Sequence, residues 1–393
     1  MKALRTLARK LGVSPEYLET GSELRDVDER ELRLTDAELR LRIGGEPEGA
    51  RDAFAALLED ANAAGDAVSA ARAEIGVGLA AAQLNDPGRA VFHLGAAIES
   101  GSVSPIDRPD AFSTLARAYT LVGQTDRAIA LLERCLDEID HRDPDNVAAY
   151  VRFAGYLSAA LTDLGDIARA ETVLTDALGR AENASDAYTR VRLYWSIARL
   201  AETEGHPVRA LDFARRAVAL LEATEDTEHL ARAHLLCAWI MNLEEKPAEA
   251  RPHLERAERF LGTSAATIDL AMLRVEQAKV AALLAEGDEA VARAREALEL
   301  LGEHHQTEQG SAWWALAEGL TLQSDVGGAT EAFSRAVDLL VSTSSWREAA
   351  QCCRRWAKVL RDAGRDAEAL DALERATDYA VRSQPAAHTS LER

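Results

Sequence analysis

Residues 191–220 read VRLYWSIARLAETEGHPVRALDFARRAVAL, and this stretch contains the structural unit that decides the fold. Three alanines recur in it at spacings of four and three residues: Ala210, Ala214 and Ala217. Residues at these spacings lie on one face of a helix. Gly205 stands where the preceding helical pattern ends, and Pro207 fits the first turn of the next helix, where its missing N–H is not needed. The stretch therefore predicts two helices joined by a short turn.

The same unit recurs along the chain at an almost constant interval. An alanine opens the pattern A-x3-apolar-x2-small at positions 50, 90, 128, 170, 210, 250, 290, 329 and 369. A second small residue recurs in the helix before it, at Gly78, Ala116, Ser158, Ala198, Ala238, Ala278, Ala317 and Ala357. Small residues at a fixed position let two helices approach closely. The period of about 40 residues predicts an all-α array of about nine antiparallel helix pairs over residues 28–380.

Glycine and proline mark the turns of this array. Glycines are expected just past helix ends at Gly165, Gly205, Gly287 and Gly364, and prolines are expected at helix starts at Pro47, Pro87, Pro207 and Pro247. Pro252 falls inside a predicted helix, where it should kink the helix or delay its start.

The repeated unit resembles the tetratricopeptide repeat, whose pattern is W-x2-L-G-x2-Y followed by A-x3-F-x2-A. The resemblance covers the nine copies in phase, although the unit here has about 40 residues and the family unit about 34. The extra residues are expected to lengthen both helices. The resemblance implies a right-handed superhelical solenoid in which the first helix of each pair lines a concave groove.

The composition narrows the possible functions. The formal net charge is −21, which disfavours nucleic acid and anionic membranes as partners of the whole chain. No segment resembles a signal peptide or a membrane span, so we expect a cytoplasmic protein. The four cysteines, at 135, 237, 352 and 353, are expected to be reduced and structural. No phosphate-binding, dinucleotide, metal or nucleophile motif is found, so we expect neither an enzyme nor a cofactor.

The two ends do not fit the repeat. Residues 3–21 read ALRTLARKLGVSPEYLETG, which resembles the last two helices of a Cro/repressor-type (XRE) helix-turn-helix domain. The helices that would read DNA are absent, so residues 1–22 are interpreted as a remnant that does not bind specific DNA. The alternative is an amphipathic capping segment. Residues 381–393 show no periodicity and are expected to form a flexible tail.

The predicted concave face reverses the charge of the chain. With the recurring alanine as reference, the deepest positions lie 18, 15 and 11 residues before it, and nine basic residues occupy them: Arg72, Arg117, Arg152, Arg192, Arg199, Arg232, Lys279, Arg354 and Lys358. Trp195, Trp239 and Trp314 also fall there, and Asn242 lies nearby. Arginine binds carboxylates through two parallel hydrogen bonds, and arginine and tryptophan are favoured in binding hot spots. The alternative is a solvated face of salt bridges with tryptophans packed between repeats.

Two functions remain open. A helix-turn-helix followed by a long tetratricopeptide array resembles the Rap–Rgg–NprR–PlcR–PrgX group of bacterial regulators. The resemblance implies a homodimer whose array binds a short signalling peptide, and the basic face favours a peptide that is acidic or has a free carboxylate. The other possibility is a constitutive protein–protein scaffold without a small ligand.

Overall fold

The computed structural model describes Lys10 and residues 26–44, 46–101, 103–181, 186–224, 226–262, 266–302, 305–343 and 345–382. The predicted helix-turn-helix remnant and the tail after 382 therefore lie outside the described residues, apart from Lys10. The chain divides into two compact units, one up to Ala118 and the other from Tyr119 onward.

The described residues form eighteen α-helices and no strand. In chain order they are α1 (Asp26–Leu39), α2 (Pro47–Ala64), α3 (Ala67–Gln83), α4 (Pro87–Glu99), α5 (Pro109–Leu121), α6 (Thr125–Arg142), α7 (Val147–Asp163), α8 (Ile167–Ala181), α9 (Ala187–Thr203), α10 (Pro207–Leu221), α11 (Thr227–Leu243), α12 (Pro247–Leu261), α13 (Thr267–Leu283), α14 (Gly287–Leu301), α15 (Gln306–Leu322), α16 (Val326–Ser342), α17 (Trp346–Asp362) and α18 (Asp366–Arg382). A π-helical turn, Arg40–Gly44, follows α1. The prediction of an all-helical repeat of nine helix pairs is confirmed.

Several first helices begin at side-chain caps, although α13, α15 and α17 do not. Asp186 accepts hydrogen bonds from the backbone N–H groups of Tyr188 (3.1 Å) and Thr189 (2.9 Å) at the start of α9. Asp226 accepts one from His229 (2.9 Å) at the start of α11, and Asn146 caps α7 in the same way. These acceptors satisfy N–H groups that have no partner within the helix. Prolines occupy the first turns of α2, α4, α10 and α12, as predicted.

A left-handed residue follows the first helix in the second to ninth pairs, in each case five positions before the recurring alanine. These residues are Asn85, Gly123, Gly165, Gly205, Glu245, Ala285, Ser324 and Gly364, with φ between 53° and 76°. The prediction of this turn at Gly287 is wrong, because Ala285 adopts it and Gly287 begins α14. The packing of the repeat fixes the turn position even where no glycine is available. The predicted late start of the helix containing Pro252 is also wrong, since α12 begins at Pro247 and continues through it.

The recurring alanines form the centre of the core. All nine are buried, eight of them fully and Ala369 with 5 % exposure. The second set of small residues, from Gly78 to Ala357, is buried as well. Together they allow the two helices of a pair to pack closely, as the sequence predicts. The four cysteines are also buried and free, and burial raises the pKa of Cys135 and Cys237 to about 12.

In the unit from Tyr119 onward, first helices lie against one another. Contacts join α7 to α9, α9 to α11, α11 to α13 and α13 to α15. The second helices α8, α10, α12, α14, α16 and α18 each pack on their own first helix. The exposed faces of α7, α9, α11, α13 and α15 therefore form one continuous surface. Within the described residues, none of the helices has the length and apolar character that a membrane crossing requires.

A histidine pair is an unusual part of this core. Nδ1 of His234 lies 2.9 Å from Nδ1 of His253, so one ring donates a hydrogen bond to the other, and the ring of His234 stacks on Phe260. His234 is 1 % exposed. Burial, together with His253, Arg256 and Arg259, lowers the pKa of His234 to about 4. Burial, Arg256 and Arg215 lower the pKa of His253 as well.

This pair predicts a loss of stability in acid. Since the pKa of His234 is lower in the folded chain than the ordinary value of 6.5, its stabilising contribution is present above pH 6.5 and is lost as the pH falls through about 4. The loss amounts to about 3 kcal/mol at most. His234→Phe should therefore reduce the fall in melting temperature between pH 7.5 and pH 4.5. His206→Gln, at an exposed histidine, is the control, and an equal fall in both variants would contradict the assignment.

Candidate functional site

The surface of first helices folds back on itself in the unit from Tyr119 onward. Arg347 on α17 donates a hydrogen bond of 3.0 Å to Glu202 on α9, although 145 residues separate them in sequence. This ion pair brings the exposed face of α17 opposite the exposed faces of α7 and α9. We call the enclosed surface the inner groove and define it by Arg152, Tyr156, Asp163, Arg192, Arg199, Glu202, Arg347 and Glu348.

Three predicted arginines of the inner groove have no internal partner. The side chains of Arg152 on α7 and of Arg192 and Arg199 on α9 make no hydrogen bond or ion pair with any described residue. The side chain of Arg192 is accessible to water, although protein atoms surround much of it. This partial loss of solvation and the positive charge of Arg152 lower the pKa of Arg192. Arg152 and Arg192 therefore place two positive charges together without an ion pair, in a chain whose net charge is −21, whereas Arg199 lies near the carboxylate of Asp163.

Two other predicted basic residues are already neutralised. Arg232 on α11 donates to Asp269 on α13 at 2.7 Å and to Glu228 at 2.5 Å. Lys279 contacts Glu276 at 2.7 Å. The hydrogen bond from Arg232 to Asp269 raises the pKa of Arg232, as expected for a stable ion pair. At these two positions the predicted basic face carries ion pairs, as in the alternative of a salt-bridged surface, because acids of the same helix and of the next first helix compensate the charge.

Asn242 is part of the same compensated region. It is 7 % exposed, and its Nδ2 donates to the carboxylate of Glu276 at 2.7 Å. Glu276 is itself only 2 % exposed. This arrangement gives the buried carboxylate two charge-assisted contacts, from Asn242 and Lys279, which offset the cost of its burial. Asn242 thus lies beneath the surface rather than on it.

The three predicted tryptophans are half-buried side chains of first helices. Trp195 stacks on His229, with ring centroids 6.3 Å apart and planes 16° apart. Its buried Nε1 finds no acceptor among the residues that the structure describes. Trp314 donates from Nε1 to Glu318 at 3.2 Å. Trp195 is therefore the tryptophan on the same helix as the unpaired Arg192 and Arg199. The indole N–H of Trp314 already has an acceptor, and Trp239 lies on α11.

Four other predicted residues lie on α17 or in the unit up to Ala118. Arg354 and Lys358 are exposed on α17 without a partner among the described residues, and the adjacent Arg355 pairs with Glu318 at 2.7 Å. In the unit up to Ala118, Arg72 is compensated by Glu31 and Glu38, and Arg117 is exposed.

Sequence reasoning missed the acidic members of the inner groove. Asp163 is the last residue of α7, and Glu348 lies in the first turn of α17. Both are exposed, and neither forms a hydrogen bond or ion pair with a described residue. Their positions in the repeat do not predict their place in the inner groove, because the approach of α17 to α7 and α9 depends on the geometry of all six helix pairs from α7 to α18.

Comparison with known proteins shows the fold and no closer relationship. No protein-family model and no curated protein matches the chain. Among solved structures, a Rap protein complexed with competence and sporulation factor has a TM-score of 0.60 at 16 % identity, covering 97 % of this chain and 95 % of its own.

Two further structures have the same repeat architecture. The apo form of RapI has a TM-score of 0.55 at 13 % identity, covering 90 % of this chain and 98 % of its own. A tetratricopeptide repeat protein from Parabacteroides merdae has a TM-score of 0.52 at 15 % identity, covering 74 % of this chain and 98 % of its own. The chain therefore has the all-helical fold of tetratricopeptide-repeat proteins.

Proposed function

We propose that this chain is a peptide-binding repeat module and that the inner groove is its binding site. The single observation that carries the proposal is the set of unpaired arginines Arg152, Arg192 and Arg199. Many surface arginines elsewhere on this chain form ion pairs with neighbouring helices, for example Arg169 with Glu133 and Arg209 with Glu171. Some, such as Arg295, are also unpaired, but in the inner groove Arg152 and Arg192 lie close enough for their positive charges to repel each other. A ligand that supplies carboxylates would provide the partners that the fold itself does not.

The chemistry of the site favours an extended peptide with a free carboxylate or acidic side chains. Guanidinium groups bind carboxylates through paired, charge-assisted hydrogen bonds, and such bonds are among the strong polar contacts in proteins. Tyr156 and Trp195 stand beside the arginines and offer aromatic surface for apolar side chains of the same peptide. The overall negative charge of the chain repels acidic ligands elsewhere, which directs them to this groove.

The wider role is the sensing part of a bacterial transcriptional regulator. Two features support it: the helix-turn-helix resemblance of residues 3–21, and the similarity in fold to a Rap protein complexed with competence and sporulation factor. In this role the protein acts in the cytoplasm as a homodimer and is not an enzyme. Light scattering on the purified chain tests the dimer, and a monomeric mass at micromolar concentration would contradict it.

A titration tests peptide binding directly. Matched pools of short acidic and basic peptides, each with a free and an amidated C-terminus, are added while tryptophan fluorescence and the melting temperature are followed. Acidic peptides with a free carboxylate should bind saturably and raise the melting temperature. A ligand at 100 times its Kd stabilises the fold by about 2.7 kcal/mol. The effect should weaken at high salt, since exposed charge pairs are screened.

The control for this titration is the pool of basic peptides, which should cause no shift. If no pool changes either signal, peptide sensing is wrong and the constitutive scaffold becomes the better explanation. A scaffold would bind a folded protein partner with no response to short peptides, and affinity capture with the intact chain would then identify that partner.

A further inference from the structure

The inner groove also has an acidic end, in which the two carboxylates of Asp163 and Glu348 exceed the single positive charge that Arg199 supplies there. Asp163 and Glu348 face it from α7 and α17, and their charges interact. Asp163 is accessible to water but enclosed by protein. Burial raises the pKa of Asp163 to about 6. The positive charge of Arg199 opposes this rise, and the negative charge of Glu348 adds to it. The nearby charged pair of Arg347 and Glu202 is already satisfied internally and does not neutralise Asp163.

The two charged ends lie on the same helix at a defined distance. Arg152 and Asp163 are separated by eleven residues of α7, which corresponds to about 16 Å along the helix axis. At one end Arg152 and Arg192 repel each other, and at the other Asp163 and Glu348 do. Like charges placed close together destabilise a free protein, and a ligand with complementary charges relieves the repulsion at both ends.

We propose that the inner groove binds a dipolar peptide, with its anionic group at Arg152 and Arg192 and a cationic group at Asp163 and Glu348. This inference rests on the proposed function and adds a second, cation-binding end to the same site. The cationic group is a lysine or arginine side chain or a free amino terminus. The separation of about 16 Å sets the spacing between the two charges of the ligand.

The test compares two peptides that differ in one charge. Both have an acetylated amino terminus and a free carboxylate next to an acidic residue. One carries lysine at the far end, and the other carries acetyl-lysine, which keeps the shape and removes the charge. The spacer is varied to bracket the 16 Å separation. Affinities are measured by calorimetry at pH 7.5 for the unmodified chain and for Asp163→Asn and Glu348→Gln, with Glu299→Gln at an exposed outer position as control.

The lysine peptide should bind about fivefold more tightly than its acetylated analogue, as expected for a partly exposed charge contact. That ratio should fall towards one in Asp163→Asn and in Glu348→Gln and should persist in Glu299→Gln. It should also fall as the pH is lowered through about 6, where Asp163 becomes protonated. Asp163→Asn and Glu348→Gln change different helices. If circular dichroism shows that one of them is misfolded, the peptide affinities of the other still test the proposal.

The outcomes separate this inference from the proposed function. Equal affinity of the two peptides for the unmodified chain would overturn the cationic end and leave carboxylate binding intact. A lysine preference that survives in both variants would overturn the assignment to Asp163 and Glu348. If neither peptide binds, the proposed function fails, and the dipolar ligand fails with it.

Discussion

Replacing Arg192 with methionine should weaken the binding of a carboxylate-bearing peptide by about tenfold to a hundredfold, because a lost hydrogen bond to a charged group costs about 1.5–3 kcal/mol. The ligand-free protein should keep its stability or gain some. Burial and Arg152 lower the pKa of Arg192, so its positive charge is unfavourable in the empty groove. Opposite effects on affinity and stability are the expected mark of a binding residue.

The measurement pairs a peptide titration with thermal unfolding of the free protein. Arg295→Met is the matched control, because Arg295 is exposed on α14 without a partner among the described residues and lies away from the inner groove. It should change neither affinity nor stability. If Arg192→Met leaves the affinity intact but lowers the melting temperature, Arg192 is a structural residue and the binding site lies elsewhere.

Arg232 shows why two similar arginines differ. Both Arg192 and Arg232 lie 18 residues before a recurring alanine, so the sequence assigns them the same place in the groove. Among the described residues, only Arg232 of the two forms an ion pair with the next first helix, through Asp269, whose side chain is 12 % exposed. Substitution of Arg232 would leave that carboxylate partly buried and unpaired, which lowers stability rather than affinity.

The fold was predictable because its determinants are local and repeated. Each recurring alanine is buried, and each predicted proline begins a helix at the expected place. The turn predicted at Gly287 was misplaced because Ala285 adopts a left-handed conformation that usually requires glycine. A sequence pattern does not predict such a conformation at an alanine.

The site was predictable only in part, for a geometric reason. The period correctly identifies Arg152, Arg192 and Arg199 as residues of the first helices. It does not indicate which charges meet between units. The contact between Arg347 and Glu202 depends on the summed rotation of five helix pairs, and a small error in each rotation would separate them. Asp163 and Glu348 join the site through the same long-range approach, so no local pattern identifies them.

Phe333→Ala should cause the largest loss of stability, about 3–5 kcal/mol, as is typical when a buried phenylalanine is truncated. Phe333 is fully buried on α16, four residues after the recurring Ala329, and its ring stacks on Trp356 of α17 at a centroid distance of 6.4 Å. Urea unfolding followed by circular dichroism measures the loss. Phe92→Ala is the control, because Phe92 is 70 % exposed and its truncation should change little.

The effect of this cavity should extend to the inner groove. In repeat proteins each unit is stabilised mainly by its neighbours, so a cavity between α16 and α17 weakens the attachment of the last helix pair. Hydrogen exchange should therefore show α17 and α18 losing protection before α9 and α10. Since α17 carries Arg347 and Glu348, peptide affinity should fall together with that protection. Uniform exchange across the array would show instead that the chain unfolds as one cooperative unit, and the groove would then retain its shape until global unfolding.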